Sequence, residues 1–143
     1  MAQLFYDSVR NLGLRRYTPE QVAVWAPEPP APNAVHARAL DGRTTLVAID
    51  VSGEVVAYGD LERDGRIDHL YCRPDVAGAG VASKLLDELV ARARSAGMSR
   101  LHVEASAIAR GLFERNGFDF VHRRDFQLRS VIIHNYLMER LLI

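Results

Sequence analysis

The stretch Pro74-Asp75-Val76-Ala77-Gly78-Ala79-Gly80-Val81-Ala82 is the part of this sequence with the clearest capacity for chemistry. Gly78, Ala79, Gly80 and Ala82 carry little or no side chain, so backbone N–H groups there can face a shared concavity. A long helix begins at Val81, and the positive end of its dipole falls at the same place. Together these features suit a pyrophosphate. The spacing Gly78-x-Gly80-x-x-Ser83 falls short of the dinucleotide pattern Gly-x-Gly-x-x-Gly, and no Walker-type Gly-Lys-Ser/Thr is present. Taken alone, the loop reads equally well as a strand-to-helix turn with no ligand. Carboxylates form the second group. Glu62, Asp68 and Glu104 stand at or beside strand positions, where acids are uncommon. Such a group can hold an ammonium or orient a water; the plainer reading is an exposed edge carboxylate. His69 and the single Cys72 have no adjacent partner signature, and no Cys/His cluster suggests a metal.

The elements that must position these residues follow from periodicity. Residues 1–12 predict a helix, with Leu4, Phe5, Val9 and Leu12 at helical spacing and Gly13 as its stop. Thr18-Pro19-Glu20 opens a second helix, ended by four prolines between 27 and 32. Asn33 is placed to cap a third, reaching about residue 40. The period then changes. Residues 44–49, 55–61 and 66–72 predict an antiparallel meander with turns at Ser52-Gly53 and Asp64-Gly65. In its third strand Asp68 shares a face with Leu70, and His69 points the other way. Val81, Leu85, Leu86, Leu89, Val90 and Ala93 line one face of the strongest helix, with Gly97 beyond its end. Residues 101–104 predict a short strand with Glu104 and His102 on one face. Ser106 then caps a helix to about residue 116, whose dipole sits beside Glu104. Strands at 118–128 and 131–142 complete the chain. The class is α+β: one domain, 1–143, with a twisted, largely antiparallel sheet flanked by helices.

Composition bounds the function. A chain of 143 residues, 48% hydrophobic and 25% charged, is an ordinary globular domain. Eighteen basic and eighteen acidic residues cancel, which argues against nucleic acid as a partner. No apolar run approaches the roughly 20 residues of a membrane span, and the start of the chain is not a secretory signal. A single cysteine suits a reducing, cytoplasmic setting.

From about Thr44 onward the sequence resembles the GNAT superfamily of acyl-CoA-dependent N-acyltransferases. The loop is similar to the family's Gln/Arg-x-x-Gly-x-Gly/Ala, with Gly80 and Ala82 at its last two named positions and Ala77 where Gln or Arg is usual. Leu112-Phe113-Glu114-Arg115-Asn116-Gly117-Phe118 is similar to the helix end Tyr-Glu-Lys-x-Gly-Phe, and Tyr71-Cys72-Arg73-Pro74-Asp75 to the strand and Pro-Asp segment before the loop. Glu104-Ala105-Ser106 with Ala109-Arg110, and the tail Asn135-Tyr136-Leu137-Met138-Glu139, resemble YafP-type acetyltransferases.

The resemblance implies direct transfer of an acetyl group from acetyl-CoA to an amine of a small molecule or peptide, with no metal. It implies cofactor contacts from Leu70, Tyr71 and Cys72, from Ala77, Gly78, Ala79, Gly80, Val81 and Ala82, and from Ser106 and Phe113. Phe113 stands where relatives have a proton-donating tyrosine, which leaves Tyr71 and Tyr136 as substitutes. Glu104 is the first choice for holding the amine, Asp68 the second. Tyr6, Tyr17 and Trp25 fall in the region that flanks the acceptor cleft in relatives, and His122-Arg123-Arg124 is a strand surface within reach of phosphates. Relatives begin with a strand before the first helix, which is either absent here or lost with a truncated start, so the strand at 44–49 is expected to be an exposed edge that invites a homodimer. The rival readings are a non-catalytic acyl-CoA-binding module, favoured by Ala77 and Phe113, and a nucleotide-binding regulatory domain of another fold.

Overall fold

A computed structural model describes residues 1–142, without the side chain of Val35. Helix α1 (Ala2–Leu12) runs into a 3₁₀ turn at Gly13–Arg15. Gly13 is not the expected left-handed stop: its φ is −57°. Its value is proximity, since a Cβ there would lie 3.0 Å from Val22 Cγ2. Helix α2 (Pro19–Trp25) starts with a reciprocal cap in which Thr18 Oγ1 accepts from the Gln21 N–H and Gln21 Oε1 accepts from the Thr18 N–H. Helix α3 (Pro32–Ala39) begins at Pro32, behind Ala31, so Asn33 is inside it and caps nothing.

Strands β1 (Thr44–Ile49), β2 (Val55–Leu61) and β4 (Leu70–Cys72) form one antiparallel sheet in the order β1-β2-β4, with β1 at its edge. Strand β3 (Arg66–Ile67) belongs to a second sheet, ordered β3-β5-β7-β6, where β3 runs parallel to β5 (Arg100–Ala105). Strands β6 (Asp119–Leu128) and β7 (Val131–Leu141) complete it.

The expected single strand over 66–72 is therefore two strands in two sheets, broken at Asp68-His69. Asp60 explains the break. Its backbone N–H donates to the His69 carbonyl at 3.0 Å, but its side-chain Oδ1 takes the His69 N–H at 2.8 Å. A carboxylate thus replaces a ladder acceptor, and Asp68 and His69 both turn toward it. Beyond the break the chain diverges from β5, so β4 and β5 part and leave an opening between the sheets.

Helix α4 (Val81–Ser95) packs on β1, β2 and β4 and buries Leu85, Leu86, Leu89, Val90 and Ala93. These side chains meet Leu61, Ile67, Leu101, Val103, Phe113 and Met138 in one core. On the opposite side α1 packs on β4 and α2 on β7, around Val9, Tyr17, Val22 and Ile133. Helix α5 (Arg110–Arg115) is shorter than the sequence predicts. Ser106 Oγ accepts the Ala109 N–H at 3.1 Å and caps a turn ahead of it. The dipole of α5 is thus one turn removed from Glu104, and it is not what sets the charge environment there.

Candidate active site

Two clefts meet at the opening between β4 and β5. The first, about 480 Å³, runs from α1 across β4 to the start of α4. Gly78 and Gly80 hold φ of +82° and +83°, the left-handed region that glycine enters freely. Nothing lies within 4 Å of a Cβ built at either position, so the space before the loop is open. Gly80 caps α4 without a side-chain bond. The N–H groups of Gly78, Gly80, Val81, Ala82 and Ser83 donate to no backbone acceptor among the described residues, while Ala79 donates to the Val76 carbonyl at 3.2 Å and Lys84 to Gly80. A row of free donors at the positive end of a 15-residue helix is a site for an anionic phosphate.

Leu70, Tyr71, Cys72, Ala77, Gly78, Gly80, Val81, Ala82 and Ser106 all line this cleft. Ala79 does not: its N–H is already used and its methyl faces solvent. Burial pushes the Cys72 thiol up, away from the thiolate form a nucleophile needs.

The second cleft, about 270 Å³, continues through the opening. Leu70, Tyr71, Ser106, Ala109 and Trp25 line both. Glu104 and Asp68 face each other across it, with Arg66 between them at 3.8 and 3.5 Å. Arg124 holds Glu104 at 2.8 Å, and Arg43 holds Asp68 at 2.8 Å. Tyr17 closes the wall: its hydroxyl donates to the His134 carbonyl and accepts the Ala107 N–H, each at 2.8 Å. Burial raises its pKa and keeps it a phenol. Burial and the nearby Arg123 push His134 below its ordinary value, so this cleft also holds a neutral imidazole.

Tyr136 is not at the opening. It pairs with Ala105, on the same face of β7 as buried Met138, and lies under the Arg110 guanidinium, 4.6 Å from the ring centre. Phe113 lines the second cleft but is 1% exposed and packs edge-to-face on Phe118 at 5.1 Å.

Behind the cleft sits Arg43, which the sequence did not single out. Its side chain is 8% exposed and contacts Asp41 at 2.9, Asp60 at 3.0, Glu62 at 3.2 and Asp68 at 2.8 Å. His69 Nδ1 bonds Asp60 Oδ2 at 2.8 Å, so Asp68 and His69 converge here and do not take opposite faces. Burial pushes the Asp60 carboxyl up, but His69 and Arg43 outweigh it and leave it below the ordinary range. Asp60, Asp68 and His69 bring potential metal ligands within 4.8 Å of one another, and the Arg43 guanidinium takes the place of the cation. The overlooked signal was Asp60 itself, a carboxylate inside a strand that is otherwise apolar.

A family model for the acetyltransferase (GNAT) domain matches residues 14–139. L-methionine sulfoximine/L-methionine sulfone acetyltransferase of Pseudomonas paraeruginosa is 39% identical over 97 residues, 58% of this chain and 55% of that protein. The chain therefore spans about half the length of that relative. The uncharacterized N-acetyltransferase YafP of Escherichia coli is 28% identical over 138 residues, 96% of this chain and 85% of that protein. A crystal structure from Rhodopseudomonas palustris, described as a GCN5-related N-acetyltransferase, superposes with a TM-score of 0.85 at 30% identity, covering 99% of this chain and 87% of that one.

Proposed function

This chain belongs to the GNAT acetyltransferase family, and from that premise we propose that it moves an acetyl group from acetyl-CoA directly to an amine of a small molecule. The observation that carries the reading is the row of free N–H donors at Gly78, Gly80, Val81, Ala82 and Ser83, joined by one continuous opening to a cleft walled by Glu104 and Asp68. The Pseudomonas relative is named for small-molecule acceptors, which supports a small amine over a peptide.

In this reading the amine enters as an ammonium and is drawn to the two carboxylates. Glu104 and Asp68 hold it and order a water; the neutral imidazole of His134 is a second proton acceptor at the same wall. The free amine attacks the thioester carbonyl, and the thiolate leaves. Tyr71 lines both clefts and carries the hydroxyl that Phe113 lacks, so it is the candidate proton donor, although burial raises its pKa and makes it a weak acid. Direct transfer calls for no metal. A reducing cytoplasmic setting suits the free Cys72, and the β1 edge is the surface through which a second copy would pair.

Glu104→Gln tests the assignment. It keeps the shape of the side chain and is expected to leave acetyl-CoA affinity unchanged while lowering kcat/KM for the amine about tenfold or more. Wild-type kinetics would remove Glu104 from the site and shift the role to Asp68. Acetyl-CoA binding with no thiol release across a broad amine panel would instead make the chain an acyl-CoA-binding module.

A further inference from the structure

A third cleft, about 390 Å³, lies on the far side of Trp25, between the proline-rich segment before α3 and the sheet β1-β2-β4. Trp25 is the only residue it shares with either cleft of the transfer site. Its volume is in the roughly 300–1,000 Å³ range of small-molecule sites. Its walls are rings and prolines: Phe5, Trp25 and Tyr58, with Pro29 and Pro30.

Its floor is polar, and the groups there are not all satisfied. Thr45 Oγ1 is buried and has no partner among the described residues. That oxygen lies below the accessible surface and out of reach of a molecule in the cleft, so the groups free to bind one are the guanidiniums. The charge of Asp60 is already met by Arg43 and by His69 Nδ1. That bond leaves His69 Nε2 directed at Arg38 Nη1, 3.5 Å away. Arg38 and Arg129 both line the cleft, and neither has a carboxylate in ion-pair reach among the described residues. The acid on the rim, Glu28, is exposed. Donors therefore outnumber acceptors: two guanidiniums without a carboxylate partner stand beside three aromatic rings.

We propose that this cleft is a second ligand site, separate from the transfer site, for a small aromatic carboxylate. Its carboxylate sits on Arg38 and Arg129, and its ring packs among Phe5, Trp25 and Tyr58.

Trp25 is the chain's only tryptophan and lines this cleft and both clefts of the transfer site, so intrinsic fluorescence reports a ligand in any of them and the arginine variants assign the signal to this one. The probe is phenylacetate, with phenylacetamide as its uncharged match. Phenylacetate is expected to give a saturable change, with phenylacetamide weaker by about tenfold, the scale of a charged hydrogen bond. Arg38→Gln should weaken phenylacetate by a similar factor and leave acetyl-CoA affinity unchanged. Arg129→Gln should likewise weaken phenylacetate and leave acetyl-CoA affinity unchanged. No saturable response to phenylacetate would overturn the site. Equal affinity for the amide, or unchanged affinity in both folded variants, would overturn it as well. Loss of acetyl-CoA binding in the wild type would defeat the transfer reading and leave this one standing.

Discussion

Arg43 carries one positive charge into a space shared by four carboxylates, and two of these matter most. Asp60 is 3% exposed, and Asp68 lines the second cleft. Removing one partner of a buried pair leaves the other charge unpaired, at a cost of about 3–5 kcal/mol. Arg43→Met is expected to lower stability by that amount at pH 7 in urea titrations. The pH dependence gives an independent check. The folded-state pKa of Asp60 lies below its unfolded value of 3.8. Its contribution is therefore complete above about pH 4 and is lost as pH falls through the folded value. Without Arg43 only His69 opposes the effect of burial, and the carboxyl rises. The acid limb of the stability profile should flatten in Arg43→Met, and an unchanged limb would show that the pairing is made elsewhere.

The turn between β2 and β3 joins the two sheets, and Gly65 is its critical residue. Its φ is +93°, and a Cβ there would stand 2.3 Å from the Arg100 carbonyl oxygen. Its own carbonyl accepts the His102 N–H at 3.0 Å, which docks the turn on β5. Gly65→Ala adds left-handed strain of about 1–2 kcal/mol and a clash with backbone that cannot turn aside. A loss well above 2 kcal/mol is expected, against strain alone for Gly53→Ala, whose Cβ meets nothing. Equal losses in thermal melts of the two variants would show that the turn does not clamp the sheets. How legible each element was in the sequence depends on how local its causes are. The buried stripe of α4 and the glycine loop are set within a few residues and could be read directly. The break at Asp68-His69 could not, because no glycine or proline marks it within residues 66–72 and the cause is Asp60 on another strand. The same holds for the site. Glu104, Asp68 and the Gly78–Gly80 loop were readable from residue type and position. Arg43 and His134 were not, since a basic residue before a strand and a histidine within one look ordinary until the fold closes around them.

At the scale of the molecule, one divergence of two sheets organises everything else. The two clefts and the floor shared by Leu70, Tyr71 and Ser106 exist because β4 and β5 separate after the break. Open sheet edges and five unpartnered N–H groups are liabilities in the free protein, and a ligand that fills the opening and accepts from the loop should stabilise the whole fold. Linkage sets the size of that effect. At a hundred times its dissociation constant, acetyl-CoA contributes about 2.7 kcal/mol if it binds the folded state alone. For a chain of this length that corresponds to a rise in Tm of very roughly 5–15 °C. Gly80→Asp places a negative side chain where phosphates are expected, and the open space in front of the loop means that it adds charge without a clash. Its left-handed φ adds only modest strain. The variant should therefore fold with a slightly lower Tm of its own and show little shift with acetyl-CoA at the concentration that shifts the wild type. A wild-type shift retained in full by Gly80→Asp would mean that the loop does not bind the pyrophosphate, and that the cofactor is held by the β4–β5 opening alone.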